Sequence, residues 1–163
     1  MRRTTLTLTG MTFLGLAIVA LPLPSFAQSD PLAGLWQLNL AKSKRTTGPA
    51  GPKSQTVYIQ GEGQNRKLTA VGINAAGNAL SQIWSEFVED GRPHPIAGNQ
   101  NVDSQTYTRA DAHTINISRL KDGKTVGTAA LVVSPDGKTM TFNNSTTQAT
   151  GRQISEVQVY EKQ

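Results

Sequence analysis

The sequence contains no cysteine, only two histidines in 163 residues, and few aromatic side chains, at 6%. Without thiolates there is no disulfide framework, iron–sulfur cluster, thiolate zinc site or cysteine nucleophile. Two histidines are too few for a multi-histidine metal centre, and no cofactor or metal is expected. Long apolar runs are missing as well. Met11 to Leu21 spans about eleven residues before Pro22 and Pro24 stop it, well short of the roughly 18 needed to cross a bilayer. There is no G-x-S-x-G elbow, no H-E-x-x-H and no phosphate-cradling glycine loop. His94 and His113 come without a serine and an acid in a recognisable arrangement. No catalytic residue is assigned, and the chain is read as not an enzyme.

What is present begins with an address. Arg2 and Arg3 give a positive start, the apolar run follows, and Ser25-Phe26-Ala27 offers small residues at the two positions a signal peptidase reads. Residues 1–27 are expected to be a signal peptide cleaved after Ala27. That leaves one domain over 28–163, exported to the periplasm or the extracellular medium with no membrane anchor. Cleavage removes two arginines and no acid, leaving 14 basic and 11 acidic residues and a net charge of +3. Lys42, Lys44 and Arg45 are the nearest approach to a basic cluster, and no aromatic accompanies them to stack bases. A nucleic-acid partner is therefore not expected.

The mature chain alternates with period two, and no stretch keeps a 3.6-residue apolar period for three turns, so it reads as all-β. Ile115 and Ile117 alternate with Thr114, Asn116 and Ser118, while Met140 and Phe142 alternate with Thr139 and Thr141. Val157 and Val159 alternate with Glu156 and Gln158 and read as the dry face of the last strand. Asp90-Gly91, Asp122-Gly123 and Asp136-Gly137 stand between such runs. Each is expected to mark an antiparallel reversal, because glycine tolerates positive φ and aspartate bonds its own backbone. Strands are expected near 34–39, 55–60, 66–73, 79–89, 93–96, 103–109, 113–120, 124–133, 138–146 and 153–161. A flat meander would expose two edges, and pairing the first strand with the last removes them. The expected architecture is an antiparallel up-and-down barrel of about eight to ten strands. Residues 40–54 and 90–101, with their prolines, read as loops, the first crossing one end of the barrel.

Gly34-Leu35-Trp36 resembles the opening signature of calycins, the lipocalins and fatty-acid-binding proteins, in which the tryptophan plugs the closed end of the barrel. More closely, GLWQLNLAKSK (34–44) resembles the start of small secreted bacterial lipocalin-like proteins that open with G-x-W-x-L-N-x-A-K-S-K. The likeness continues through PKSQTV (52–57), VSPDGKTMT (133–141) and VYEKQ (159–163). Gly34 and Trp36 are thus its structural signature, with Trp36 as the plug. A cysteine pair and a mid-barrel Thr-Asp-Tyr are absent. Arg152, just before the last strand, is the nearest arginine to stack on the tryptophan.

Two functions remain open on these residues. The first is a binding protein that holds a small apolar molecule in the barrel. Its lining candidates, each on the drier face of its strand, are Ile83, Phe87, Tyr107, Ile115, Ile117, Met140 and Phe142. The second is a cell-envelope interaction module or inhibitor with a filled barrel, using Lys42 to Arg45 and the Pro93-His94-Pro95 loop to contact a protein. Trp84, in a strand apolar on both faces, is read as a packed edge.

Overall fold

A computed structural model of the chain describes residues 30–45, 50–97, 99–147 and 151–163, with the backbone only at 62 and 81–84. The signal segment lies outside the described residues. So do the side chains of Ile83 and Trp84.

Strand β1 (Gly34–Leu38) carries the tryptophan, and a two-residue strand, β2 (Lys44–Arg45), follows it. A meander of β3 (Ser54–Glu62), β4 (Asn65–Ile73) and β5 (Ala79–Val88) comes next, then the short β6 (His94–Pro95). A second meander contains β7 (Ser104–Asp111), β8 (Thr114–Lys121), β9 (Lys124–Val133), β10 (Thr139–Thr147) and β11 (Gln153–Lys162). Each strand pairs antiparallel with its neighbour, in the order β5-β4-β3-β1-β11-β10-β9-β8-β7-β6. The first strand joins the last as expected, Trp36 opposite Lys162 and Leu38 opposite Tyr160. Among the described residues nine strands have five or more residues, within the expected eight to ten.

Residues 40–54 depart from a plain loop. β2 runs on from β1 along the same neighbour, pairing Lys44 with Val157 and Arg45 with Glu156. β1 and β2 are one strand interrupted at 39–43, where Ser43 Oγ accepts from Val159 N at 2.9 Å and keeps the segment against β11. Two residues carry no readable alternation, so nothing in the pattern marks β2.

The turns behave differently from one another. Asp122 and Gly123 both have positive φ, 49° and 72°, and link Lys121 directly to its partner Lys124. This is the two-residue hairpin whose twist matches the strands. Asp90-Gly91 reverses the chain without making the expected hairpin, because no ladder joins β5 to β6. Pro93 and Pro95 supply no N–H for one, and β6 pairs with β7 instead.

The barrel therefore has a seam between β5 and β7, held mainly by side chains. One backbone bridge joins Asp90 to Thr108, and Gly91 N donates to Tyr107 O at 2.9 Å. Beside them the rings of Phe87 and Tyr107 stack with centroids 4.3 Å apart. Glu89 contacts Arg109 Nε at 2.6 Å and Arg66 Nε at 2.9 Å, while Asp30 contacts Arg66 Nη2 at 2.6 Å. Glu89 and Arg66 are buried, so each charge sits beside its opposite out of water. The charges of Asp30, Arg66, Glu89 and Arg109 balance.

The same end holds the floor. Trp36 is fully buried among Leu32, Ile59, Ile115, Val133 and Met140, and its indole N–H donates to Leu32 O at 2.9 Å. The cation over its ring is Lys162, 5.1 Å from the centroid, and not Arg152, which is exposed before β11. Gly34 has φ of 140°, and a Cβ there would lie 2.8 Å from Lys162 Cε. The Gly-x-Trp spacing thus leaves room for the lysine stem that covers the indole.

Candidate functional site

Above the floor the barrel holds a partly open cavity of ≈ 370 Å³. Alternate residues of eight strands supply its wall, because period two turns every second side chain inward. Val57 and Leu68 come from β3 and β4, Phe87 and Tyr107 from the two sides of the seam, and Ile117 and Leu131 from β8 and β9. Met140 and Phe142 on β10 and Tyr160 on β11 complete the apolar part, with Ala70 the smallest member. Gln55, Ser85, Gln105, Arg119 and Gln158 add polar groups. Of these, Gln105 and Arg119 are cross-strand partners beside the Asp122-Gly123 turn, at the end opposite Trp36.

The polar groups are mostly tied to one another. Tyr107 donates its hydroxyl hydrogen to Gln105 Oε1 at 2.5 Å. Tyr160 Oη lies 2.6 Å from Gln55 Oε1 and 2.8 Å from Gln158 Oε1. A phenol has a single hydrogen, so it donates to one amide and accepts from the NH₂ of the other, turned about. Burial pushes both tyrosine hydroxyls up from their ordinary value, and the charge of Glu156 adds to the shift at Tyr160. Both stay neutral at physiological pH, as polar points in an otherwise apolar wall.

Arg119 is the charged member. Its Nη1 donates to Asn144 Oδ1 and, at 3.0 Å, to Thr146 Oγ1, and its guanidinium lies 6.0 Å from the Phe142 ring centroid. Burial lowers its pKa against the opposing pull of Tyr107 and Glu156. Being a guanidinium it keeps its proton.

Of the seven expected lining residues, Phe87, Tyr107, Ile117, Met140 and Phe142 line the cavity. Ile115 does not: it is fully buried in the floor beneath, one step further along β8 than Ile117. Ile83 pairs with Ala70 through the backbone, and its side chain is outside the description. The last strand reverses the expected faces. Glu156 and Tyr160 are buried and Gln158 lines the cavity, while Val157 and Val159 are half-buried on the opposite face. Register decides this, since Tyr160 stands opposite Met140 and Gln158 opposite Phe142. Polar residues therefore face the cavity from the strand that closes the barrel. Arg119 shares the parity of Ile115 and Ile117 in TINISRLK, a legible signal that its charge obscured.

The expected contact loops are engaged within the chain. Lys42 pairs with Glu161 at 2.8 Å, Arg45 with Glu156, and His94 Nε2 with Asp90 Oδ1 at 2.8 Å. His113 stands at the floor end of β8 with Nδ1 buried and, among the described residues, without a hydrogen-bond partner. Among the described residues no three His, Asp or Glu side chains are grouped to hold a metal ion.

The antiparallel strand order around this cavity is a barrel of the calycin fold type. It is similar to zebrafish ileal bile acid-binding protein complexed with cholic acid, with TM-score 0.52 and 10% identity, over 82% of this chain and 99% of that one. It is also similar to a Schistosoma mansoni fatty acid binding protein in complex with arachidonic acid, with TM-score 0.50 and 10% identity, over 82% and 96% of the two chains. Lobster apocrustacyanin A1 matches with TM-score 0.45 and 15% identity, over 83% and 62%. At these identities the likeness is one of fold. No protein-family model and no curated protein matches the sequence.

Proposed function

We propose that this chain is an exported binding protein, not an enzyme, that holds one small, mainly apolar molecule inside its barrel. The cavity of ≈ 370 Å³ carries the reading. Its volume falls within the range of small-molecule sites, about 300 to 1,000 Å³, and its wall has their composition, apolar with a few placed polar groups. Binding is passive. Removing apolar ligand surface from water supplies roughly 25 cal/mol per Å², and the Tyr107 and Tyr160 hydroxyls orient the occupant. The two barrels matched at TM-score 0.50 or better hold cholic acid and arachidonic acid, occupants of the same general class. Export rests on residues 1–27, read as a signal peptide cleaved after Ala27, and on the resemblance of 34–44 to secreted lipocalin-like proteins. The destination is the periplasm or the medium. A filled barrel acting only through its loops is disfavoured by the cavity, and by the side-chain contacts that already engage Lys42, Arg45 and His94.

Non-denaturing mass spectrometry of the exported protein, before and after solvent extraction, tests this directly. A species of a few hundred daltons, lost on extraction, is expected. An apolar fluorescent probe should then bind the extracted protein saturably at micromolar concentration. Ala70→Phe, which pushes a ring into the cavity, should weaken it at least about tenfold, a loss of about 1.4 kcal/mol. A bare mass together with no saturable probe binding would remove the proposal.

A further inference from the structure

The outside of the barrel carries two kinds of surface. Among the described residues five large apolar side chains are exposed, and four of them, Leu35, Tyr58, Val71 and Ile73, are between 37 and 46% exposed on the neighbouring strands β1, β3 and β4. Register sets them in one diagonal stripe. Leu35 stands opposite Tyr58 and Tyr58 opposite Thr69, with Val71 and Ile73 at the next two outward positions of β4. Thr56 and Ser54 lie opposite Val71 and Ile73, so no charge interrupts the stripe. On the other half of the barrel, exposed outward positions of β7 to β10 are filled by Thr108, Asn116, Thr128 and Asn143. Exposed apolar residues scattered singly are ordinary, whereas a contiguous group on one face marks a contact surface.

The charges around the stripe and its shape point to what covers it. On its rim Lys67 is answered by Glu86 at 4.0 Å and Lys42 by Glu161 at 2.8 Å, so the rim does not present the cation cluster that draws a protein to anionic lipid. The stripe is also self-complementary. A two-fold axis across its middle sets Leu35 of each copy on Ile73 of its partner and Tyr58 on Val71, the reciprocal pairing of an isologous contact. The outer face of β1, β3, β4 and β5 is roughly 30 Å long and 19 Å wide. Two such faces bury up to about 1,100 Å², at the low end of specific interfaces. We infer that the mature chain forms a reversible homodimer through the outer face of β1, β3 and β4, with Leu35, Tyr58, Val71 and Ile73 at its centre.

Sedimentation velocity of the mature protein from about 1 to 200 µM tests this, because an interface of that size gives a dissociation constant in the micromolar range. Tyr58→Lys and Val71→Lys each put a charge in the middle of the stripe and should weaken the dimer at least about tenfold. Thr128→Lys, on the polar half of the barrel, should leave it within about twofold. Circular dichroism checks that all three variants fold. The chain has no cysteine, so introduced thiols report the contact without background. Leu35→Cys and Ile73→Cys, mixed and mildly oxidised, should cross-link far more readily than either variant alone. A chain still monomeric at the top of the concentration range would overturn the homodimer. A dimer that survives both lysine variants would overturn this face as its interface, and equal cross-linking in the mixture and the separate variants would overturn the two-fold arrangement. Binding to phosphatidylglycerol vesicles that both lysine variants lose, in a chain that does not dimerise, would give the stripe to a lipid surface instead.

Discussion

Trp36 is where a single residue meets the most demands. Its ring fills the floor, its N–H is satisfied by Leu32 O, and Lys162 lies over the ring. Removing it opens a cavity the rigid strands cannot collapse. Trp36→Ala is expected to cost about 3 to 5 kcal/mol, read from the urea midpoint and slope, and a loss below about 1 kcal/mol would show that it is not the plug. Both Trp36 and Gly34 are legible in the sequence, because the need for glycine is local: φ of 140° and a lysine stem within contact distance. Arg119 is legible only by parity. Its setting depends on Asn144 and Thr146, which reach it from a strand distant in the chain.

At the scale of elements, the seam between β5 and β7 replaces a hydrogen-bonded ladder with an aromatic stack and an ionic cluster. Glu89 is its hub, with a side chain only 2% exposed between two arginines. Breaking a buried ion pair strands its partners, and Glu89→Gln is expected to cost about 3 kcal/mol. It should also speed amide exchange at Gly91, whose N–H bonds across the seam. An unchanged unfolding midpoint would mean that Phe87 and Tyr107 hold the seam alone. The turns carry a different signature, in their pH response. The His94 ring beside Asp90, the Asp122 N–H on Asp103, the His113 N–H on Asp111 and the Ser134 hydroxyl on Asp136 each hold a carboxyl below its ordinary value. A carboxyl with a lowered folded-state pKa contributes stability that is complete above its unfolded value, about 3.9, and is lost as pH falls through the folded value. The urea midpoint is therefore expected to hold steady near neutrality and fall below about pH 4, less steeply in Asp103→Asn. A midpoint unchanged down to pH 2.5 would show that these turn bonds contribute nothing. Asp-Gly pairs are visible in sequence, but which of them closes a ladder is not. Asp122-Gly123 does and Asp90-Gly91 does not, because the prolines that follow the latter send β6 to β7.

For the whole molecule, closure organises everything else. β1 pairs with both β3 and β11 and so joins the two meanders into one sheet, and the seam between β5 and β7 brings the ends of that sheet together around one interior. The inward side chains fill the floor around Trp36 and leave a cavity above it, walled by aromatic, aliphatic and a few polar residues. The mass-spectrometric and probe measurements belong to this scale, since the cavity is a property of eight strands together and of no one of them.

By itself the sequence determined the all-β class, the ten expected strands to within a residue or two, the burial of Trp36 and the inward faces of β8 and β10. These follow from local chemistry: alternation, turn residues, and one glycine two positions before an indole. Tertiary structure decided which face of β11 turns inward, where the barrel has its seam, that Ile115 belongs to the floor and not the cavity, and that Arg119 meets Asn144 and Thr146. Those outcomes depend on register and on partners distant in sequence, and a one-residue slip in pairing would exchange every inward side chain for its neighbour.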